Sequence, residues 1–251
     1  MKSLFALTAL GLAFAALPAF ADDVAAGADT NAPIAAPVDP LTFNVGVASE
    51  YRYRGISQSR LNPALQGGAD YAAESGRYIG AWASTIQWIK DAGGNAPVEL
   101  DLYGGYKKEI AKGLTLDVGL LQYYYANNDL PTSANTLEVY AALSYGPLVF
   151  KYSDSTTTLF GFSNSKNSGY ADLSGVFEIA EGLTFTPHVG HQSVNHNSAA
   201  SYYDYSLTLN KDYAGITFGA AMVGTNSGYY TSPAGKNLGA TTLVVSAKKT
   251  F

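Results

Sequence analysis

The sequence predicts an all-β fold, a transmembrane antiparallel up-and-down β-barrel of about twelve strands with short turns at one end and longer loops at the other. Three observations predict it. Large apolar residues alternate with polar ones over strand-length stretches, as they must where side chains point to opposite faces of a wall with lipid on one side and water on the other. Long and tight connections follow one another along the chain. After residue 21 no apolar run approaches the roughly 20 residues of a membrane helix, so a membrane crossing would have to be made by strands.

The first stretch, 41–53, sets the pattern. Leu41, Phe43, Val45, Val47, Tyr51 and Tyr53 share one parity, and Thr42, Asn44, Gly46, Glu50 and Arg52 the other. Weaker alternation covers 65–71 and 78–88. It is clear again at 98–107, where Val98, Leu100, Leu102 and Tyr106 oppose Glu99, Asp101, Tyr103 and Lys107. Stretches 114–124, 137–145 and 148–152 follow, then 171–177, 183–189, 203–209, 216–223 and 238–251. The long connections are rich in Ser, Asn and Gly and fall at 55–62, 91–96, 127–135, 154–168, 195–201 and 225–237. Tight links fall between them at 74–76, 109–113, 146–147, 179–182 and 211–214. One turn is reused: Glu109-Ile110-Ala111-Lys112-Gly113-Leu114-Thr115 recurs as Glu178-Ile179-Ala180-Glu181-Gly182-Leu183-Thr184.

In this register Phe43, Tyr71, Tyr78, Tyr106, Tyr145, Phe177, Phe185 and Phe251 form an outward band near the turn end. Tyr51, Tyr53, Trp88, Tyr124, Tyr152 and Tyr203 form a second near the loop end, and two such girdles suit the two interfaces of a membrane. Parity alone does not say which face points inward. A soluble periplasmic barrel or sandwich would show the same alternation with the apolar face inside.

Three regions are expected. Residues 1–21 read as a signal peptide, with Lys2, an apolar stretch at 4–16 and small residues at Ala19 and Ala21, and cleavage is expected after Ala21. Residues 22–40 hold little that is large and apolar and read as a disordered periplasmic tail. Residues 41–251 form the barrel. Such a chain is expected in the outer membrane of a Gram-negative bacterium, in contact with lipid and lipopolysaccharide, its last strand ending in Phe251 and serving the barrel-assembly machinery as a signal. The absence of cysteine excludes disulfides, thiolate metal sites and a cysteine nucleophile. A net charge of −5 and the lack of a basic run argue against nucleic acid as a partner.

Ser49-Glu50-Tyr51-Arg52-Tyr53-Arg54-Gly55-Ile56-Ser57-Gln58-Ser59, followed by Gly80-Ala81-Trp82-Ala83-Ser84, resembles the TorF-type porins of proteobacteria, the Gcw_chp family. The resemblance covers 41–251 and implies an outer-membrane barrel with a channel role and no assigned substrate.

Little catalytic chemistry is suggested. His188, His191 and His196 lie close in sequence, but 188 and 191 differ by an odd number and point to opposite faces of a strand, which argues against a shared metal ion. No nucleophile elbow accompanies the many serines, so neither an enzyme nor a cofactor is expected. The ionisable residues of the polar parity are the candidates for a lumen lining, because charges facing lipid cost several kcal/mol. They are the acids Glu50, Asp70, Glu99, Asp101, Asp117, Glu138, Asp172 and Asp204 and the bases Arg52, Arg54 and Lys151. They would either tune ion selectivity or brace a narrow lumen as cross-strand pairs. Inward Tyr103, Tyr123, Tyr125, Tyr140 and Tyr170 would narrow it further. The expected function is a passive channel for small hydrophilic solutes or ions with mild cation preference. The rivals are a plugged structural or surface-binding barrel and a soluble periplasmic binding barrel.

Overall fold

The computed structural model describes residues 39–251. The expected signal peptide and nearly all of the expected tail lie outside the described residues. In chain order the elements are β1 (Leu41–Ala48), β2 (Arg52–Tyr53), β3 (Ile56–Ser57), β4 (Ala64–Ala72), β5 (Arg77–Thr85), α1 (Trp88–Asp91), β6 (Val98–Ala111), β7 (Leu114–Tyr124), β8 (Thr136–Tyr145), β9 (Leu148–Ser155), β10 (Gly169–Gly175), β11 (Phe177–Ala180), β12 (Leu183–Ser193), β13 (Tyr202–Tyr213), β14 (Ile216–Thr225) and β15 (Thr242–Thr250).

Every wall strand pairs antiparallel with its neighbours, β1 pairs with both β4 and β15, and the β10–β12 pairing completes the ring. The sheet counts thirteen segments, but β10 and β11 both pair with β12 and are halves of one strand interrupted at Val176. The wall therefore has twelve staves, and closure leaves no open edge of unpaired backbone. β2 and β3 pair only with each other, inside the ring.

Alternation is what places the side chains. Along β13, Tyr202, Asp204, Ser206, Thr208 and Asn210 are buried while Tyr203, Tyr205, Leu207 and Leu209 are exposed. Along β8, Thr136, Glu138, Tyr140 and Ser144 are buried against exposed Val139, Leu143 and Tyr145. The greasy parity faces out and the polar parity faces in, which is the reverse of a soluble barrel and the arrangement that lipid demands. This decides the question that parity left open.

The repeated turn behaves identically in its two places. Pairing of β6 with β7 shifts register between Glu109 and Ala111, and pairing of β11 with β12 shifts between Glu178 and Ala180. Gly113 (φ 73°) and Gly182 (φ 59°) then take the left-handed conformation that a residue with a Cβ disfavours.

The structure corrects four expectations. The first strand ends at Ala48 rather than Tyr53, and Tyr51 and Tyr53 turn into the barrel, where each hydroxyl has a partner. Trp88 belongs to α1 and packs against the interior cluster. Tyr78 points inward, its hydroxyl donating to Asp117 at 2.6 Å and lying against that of Tyr140. The last strand begins at Thr242, and Leu238 is buried in the preceding loop. Each departure involves an amphipathic or apolar side chain that found satisfaction inside the barrel, which parity counting cannot foresee.

Candidate functional site

The lumen has two unlike halves. At the turn end its lining is half-buried, including Asn44, Gly46, Gly68, Asp117, Thr184, Ser246 and Lys248. At the loop end Arg52, Arg54, Glu99, Asp101, Glu138 and Tyr170 are at most 2% exposed. The segment 49–62 causes the difference, because after β1 the chain folds across the interior instead of out over the rim.

Arg54, at the tip of the β2–β3 hairpin, makes the longest reach. It takes a left-handed backbone (φ 46°) next to Gly55 (φ 76°), whose position admits no side chain beside Thr225 and Gly224. Its Nη1 and Nη2 donate to Oε1 and Oε2 of Glu138 on β8 at 3.2 and 2.8 Å, and Nη1 donates to Oε1 of Gln192 on β12 at 2.6 Å. The guanidinium also lies 4.0 Å from the Tyr170 ring centroid and 4.7 Å from that of Tyr53. Arg52 anchors the base of the hairpin, donating from Nη1 to the carbonyls of Gly55 and Ala240 at 2.8 and 2.9 Å and pairing with Glu50 at 3.2 Å.

Tyr51 and Tyr125, both just beyond strand ends, donate to the two oxygens of Glu99 at 2.6 and 2.5 Å. Burial, and then the Glu99 charge, push both hydroxyls well above their ordinary range, so they remain donors throughout physiological pH. Asp101 stands beside them, 1% exposed, with an Oδ1 that has no hydrogen-bond partner.

The remaining candidates fall lower or to the side. Asp172 and Asp204 bracket His188, with Oδ2 and Oδ1 each 2.8 Å from a ring nitrogen, and Tyr170 donates to Asp204 at 3.0 Å. Asp70 accepts from Tyr103, Asp117 accepts from Tyr78, and the Lys151 Nζ lies 5.0 Å from the Tyr140 ring centroid. Tyrosine hydroxyls are thus recurrent partners of the wall carboxylates. Among the ion pairs described, Arg54–Glu138 and the His188 cluster link different strands.

Three participants were overlooked in the sequence: Gln192, His188 as a partner of two carboxylates, and inward Lys248, which lies within electrostatic reach of Asp70. Parity carried the signal, since 188 and 192 share the inward register of β12 and 248 that of β15. His191 faces the other way and stacks on Tyr203 with ring centroids 4.3 Å apart, while His196 sits in a loop with Nδ1 3.0 Å from the Asn164 carbonyl. Among the described residues no group of ligating side chains is assembled for a metal ion.

A bacterial family of unknown function, Gcw_chp, matches residues 31–251. The chain belongs to this family. No curated protein matches the sequence. Among solved structures, a KdgM porin superposes with a TM-score of 0.57 at 6% identity, covering 84% of this chain and 99% of that one. A KdgM porin in complex with disordered oligogalacturonate gives 0.55 at 6% identity, covering 84% and 98%. A NanC porin gives 0.54 at 13% identity, covering 83% and 97%. At such identities the likeness of this Gcw_chp protein to them is one of fold, a closed antiparallel barrel.

Proposed function

We propose that this Gcw_chp protein is a narrow outer-membrane channel of the TorF type, passing small hydrophilic solutes or ions by diffusion with a mild cation preference. The observation that carries the reading is the polar, half-open interior inside an apolar wall, narrowed at its loop end by the inward segment 49–62. Around the interior, Glu50, Asp70, Glu99, Asp101, Asp117, Glu138, Asp172 and Asp204 outnumber Arg52, Arg54, Lys107, Lys151 and Lys248, and this balance favours cations over anions. The exposed aliphatic belt is suited to lipid, and the aromatic rim to lipid and lipopolysaccharide headgroups.

One observation favours a second reading. Arg52 and Arg54 are each 1% exposed, so the loop end is tightly packed, as a plugged structural barrel would be. Single-channel conductance of the folded mature protein in a planar bilayer under a salt gradient separates the two. Discrete, small, cation-leaning steps support the channel. Silence from inserted protein supports the plug and overturns the channel.

A further inference from the structure

Above the inward hairpin, on the side away from the lumen, lies a cavity of about 430 Å³, within the size range of small-molecule sites. Tyr53, Ile56, Ser57 and Gln58 form its floor, and Trp88, Tyr125, Phe160, Phe162, Tyr229 and Tyr230 its aromatic walls. These rings meet edge to face: Trp88 crosses Tyr125 at 85° and Phe160 at 89°, and Tyr230 crosses Phe162 at 87° and Tyr229 at 75°. A cage of that kind offers flat apolar surface to a flat guest.

The polar atoms around it are mostly committed. Gln58 Nε2 donates to the Ile56 carbonyl at 2.9 Å, Gln192 Oε1 accepts from Arg54, and the Tyr230 hydroxyl donates to the Ala200 carbonyl at 2.7 Å. The charge of Asp91, which also lines the cavity, is paired with Arg60. The indole of Trp88 contributes its ring to the wall, its Nε1 being buried out of reach of a guest. An anion finds no lysine or arginine among the lining residues, and the aromatic rings favour a flat apolar guest.

We infer that this cavity binds a neutral, flat aromatic molecule held between the rings. The site lies outside the hairpin, and its occupancy does not depend on whether the barrel conducts.

Titration calorimetry on the full-length protein folded in detergent, with acetophenone as the probe and the empty micelle subtracted, tests it. Saturable binding is expected, with benzoate at least about tenfold weaker. Trp88→Ala, which removes one wall ring, should weaken acetophenone by about tenfold. Tyr229→Ala, at an exposed wall position, should weaken it as well without disturbing the barrel. Heat modifiability on gels checks that both variants are folded. Absence of saturable binding, equal binding by wild type and both folded variants, or binding of methyl glucoside in place of acetophenone would each overturn the inference. A silent bilayer recording bears on the channel reading alone.

Discussion

Arg54 and Glu138 are 84 residues apart in the chain, yet their side chains meet across the barrel interior through two hydrogen bonds of 3.2 and 2.8 Å, with 1% and 2% of each side chain exposed. One arginine thereby ties the segment that leaves β1 to the far wall at β8, and through Gln192 to β12. The pair narrows the loop end of the interior and is the contact through which that narrowing can be altered.

Replacing Arg54 with alanine leaves Glu138 buried without its cation, a loss of about 3–5 kcal/mol for a buried pair. The barrel ring is closed by backbone pairing and should survive, so the cost falls on the packing of 49–62. Arg54→Ala is expected to raise single-channel conductance and to expose the segment to limited proteolysis. Conductance and cleavage rates equal to wild type would show that the hairpin is held elsewhere.

Much of this architecture was legible because lipid imposes a strict rule. Leu207 and Thr208, or Leu143 and Ser144, take opposite faces by parity alone, and closure in chain order needs only short turns such as the two Glu-Ile-Ala repeats. The inward segment was not legible. Tyr51 and Tyr53 continue the parity of Val45 and Val47, and nothing local distinguishes an aromatic ring bound for the membrane rim from one whose hydroxyl will meet Glu99 or Tyr123. Arg54 could be assigned to the interior by charge, but its partners lie on strands far away in sequence, and pairing across a lumen leaves no periodic trace.

Asp117, half-buried, and Asp70, 6% exposed, lie on the inner wall toward the turn end. Asp70 and Asp117 accept hydrogen bonds from Tyr103 and Tyr78 respectively. Neutralising both as Asp70→Asn and Asp117→Asn keeps a hydrogen-bond acceptor for each tyrosine and removes two negative charges from the path. The reversal potential under a salt gradient should move toward zero or toward anion preference. A reversal potential that does not move would take these carboxylates out of the conduction path.

Gly190 on β12 lies beneath the hydroxyl end of Tyr170 on the neighbouring β10, with Asp204 close on the other side. A Cβ there would collide with the tyrosine that supports both Arg54 and Asp204. Gly190→Val should destabilise the folded barrel by about 1–3 kcal/mol, the usual cost of overpacking, seen as a lower temperature of heat modification. Adding Tyr170→Ala makes room for the new side chain, so the double variant should lose less stability than the sum of the single changes. Strict additivity would mean that the two positions do not share the space.

Leu207 and Thr208 are adjacent near the middle of β13, one 43% exposed and the other 9%. If the exposed face meets lipid, Leu207→Arg places a cation near the bilayer midplane at a cost of about 2–4 kcal/mol. Thr208→Arg instead directs the same charge into a polar interior that already contains Asp204 and Asn210, and should cost less. Urea-induced unfolding from phospholipid vesicles measures both, and the discriminating quantity is their order. A larger penalty at 207 than at 208 supports the apolar parity lying against lipid, because the two variants place the same charge on opposite faces of one strand. The reverse order would mean that the interior is too tightly packed to accept an arginine, and would favour the plugged reading over an open lumen.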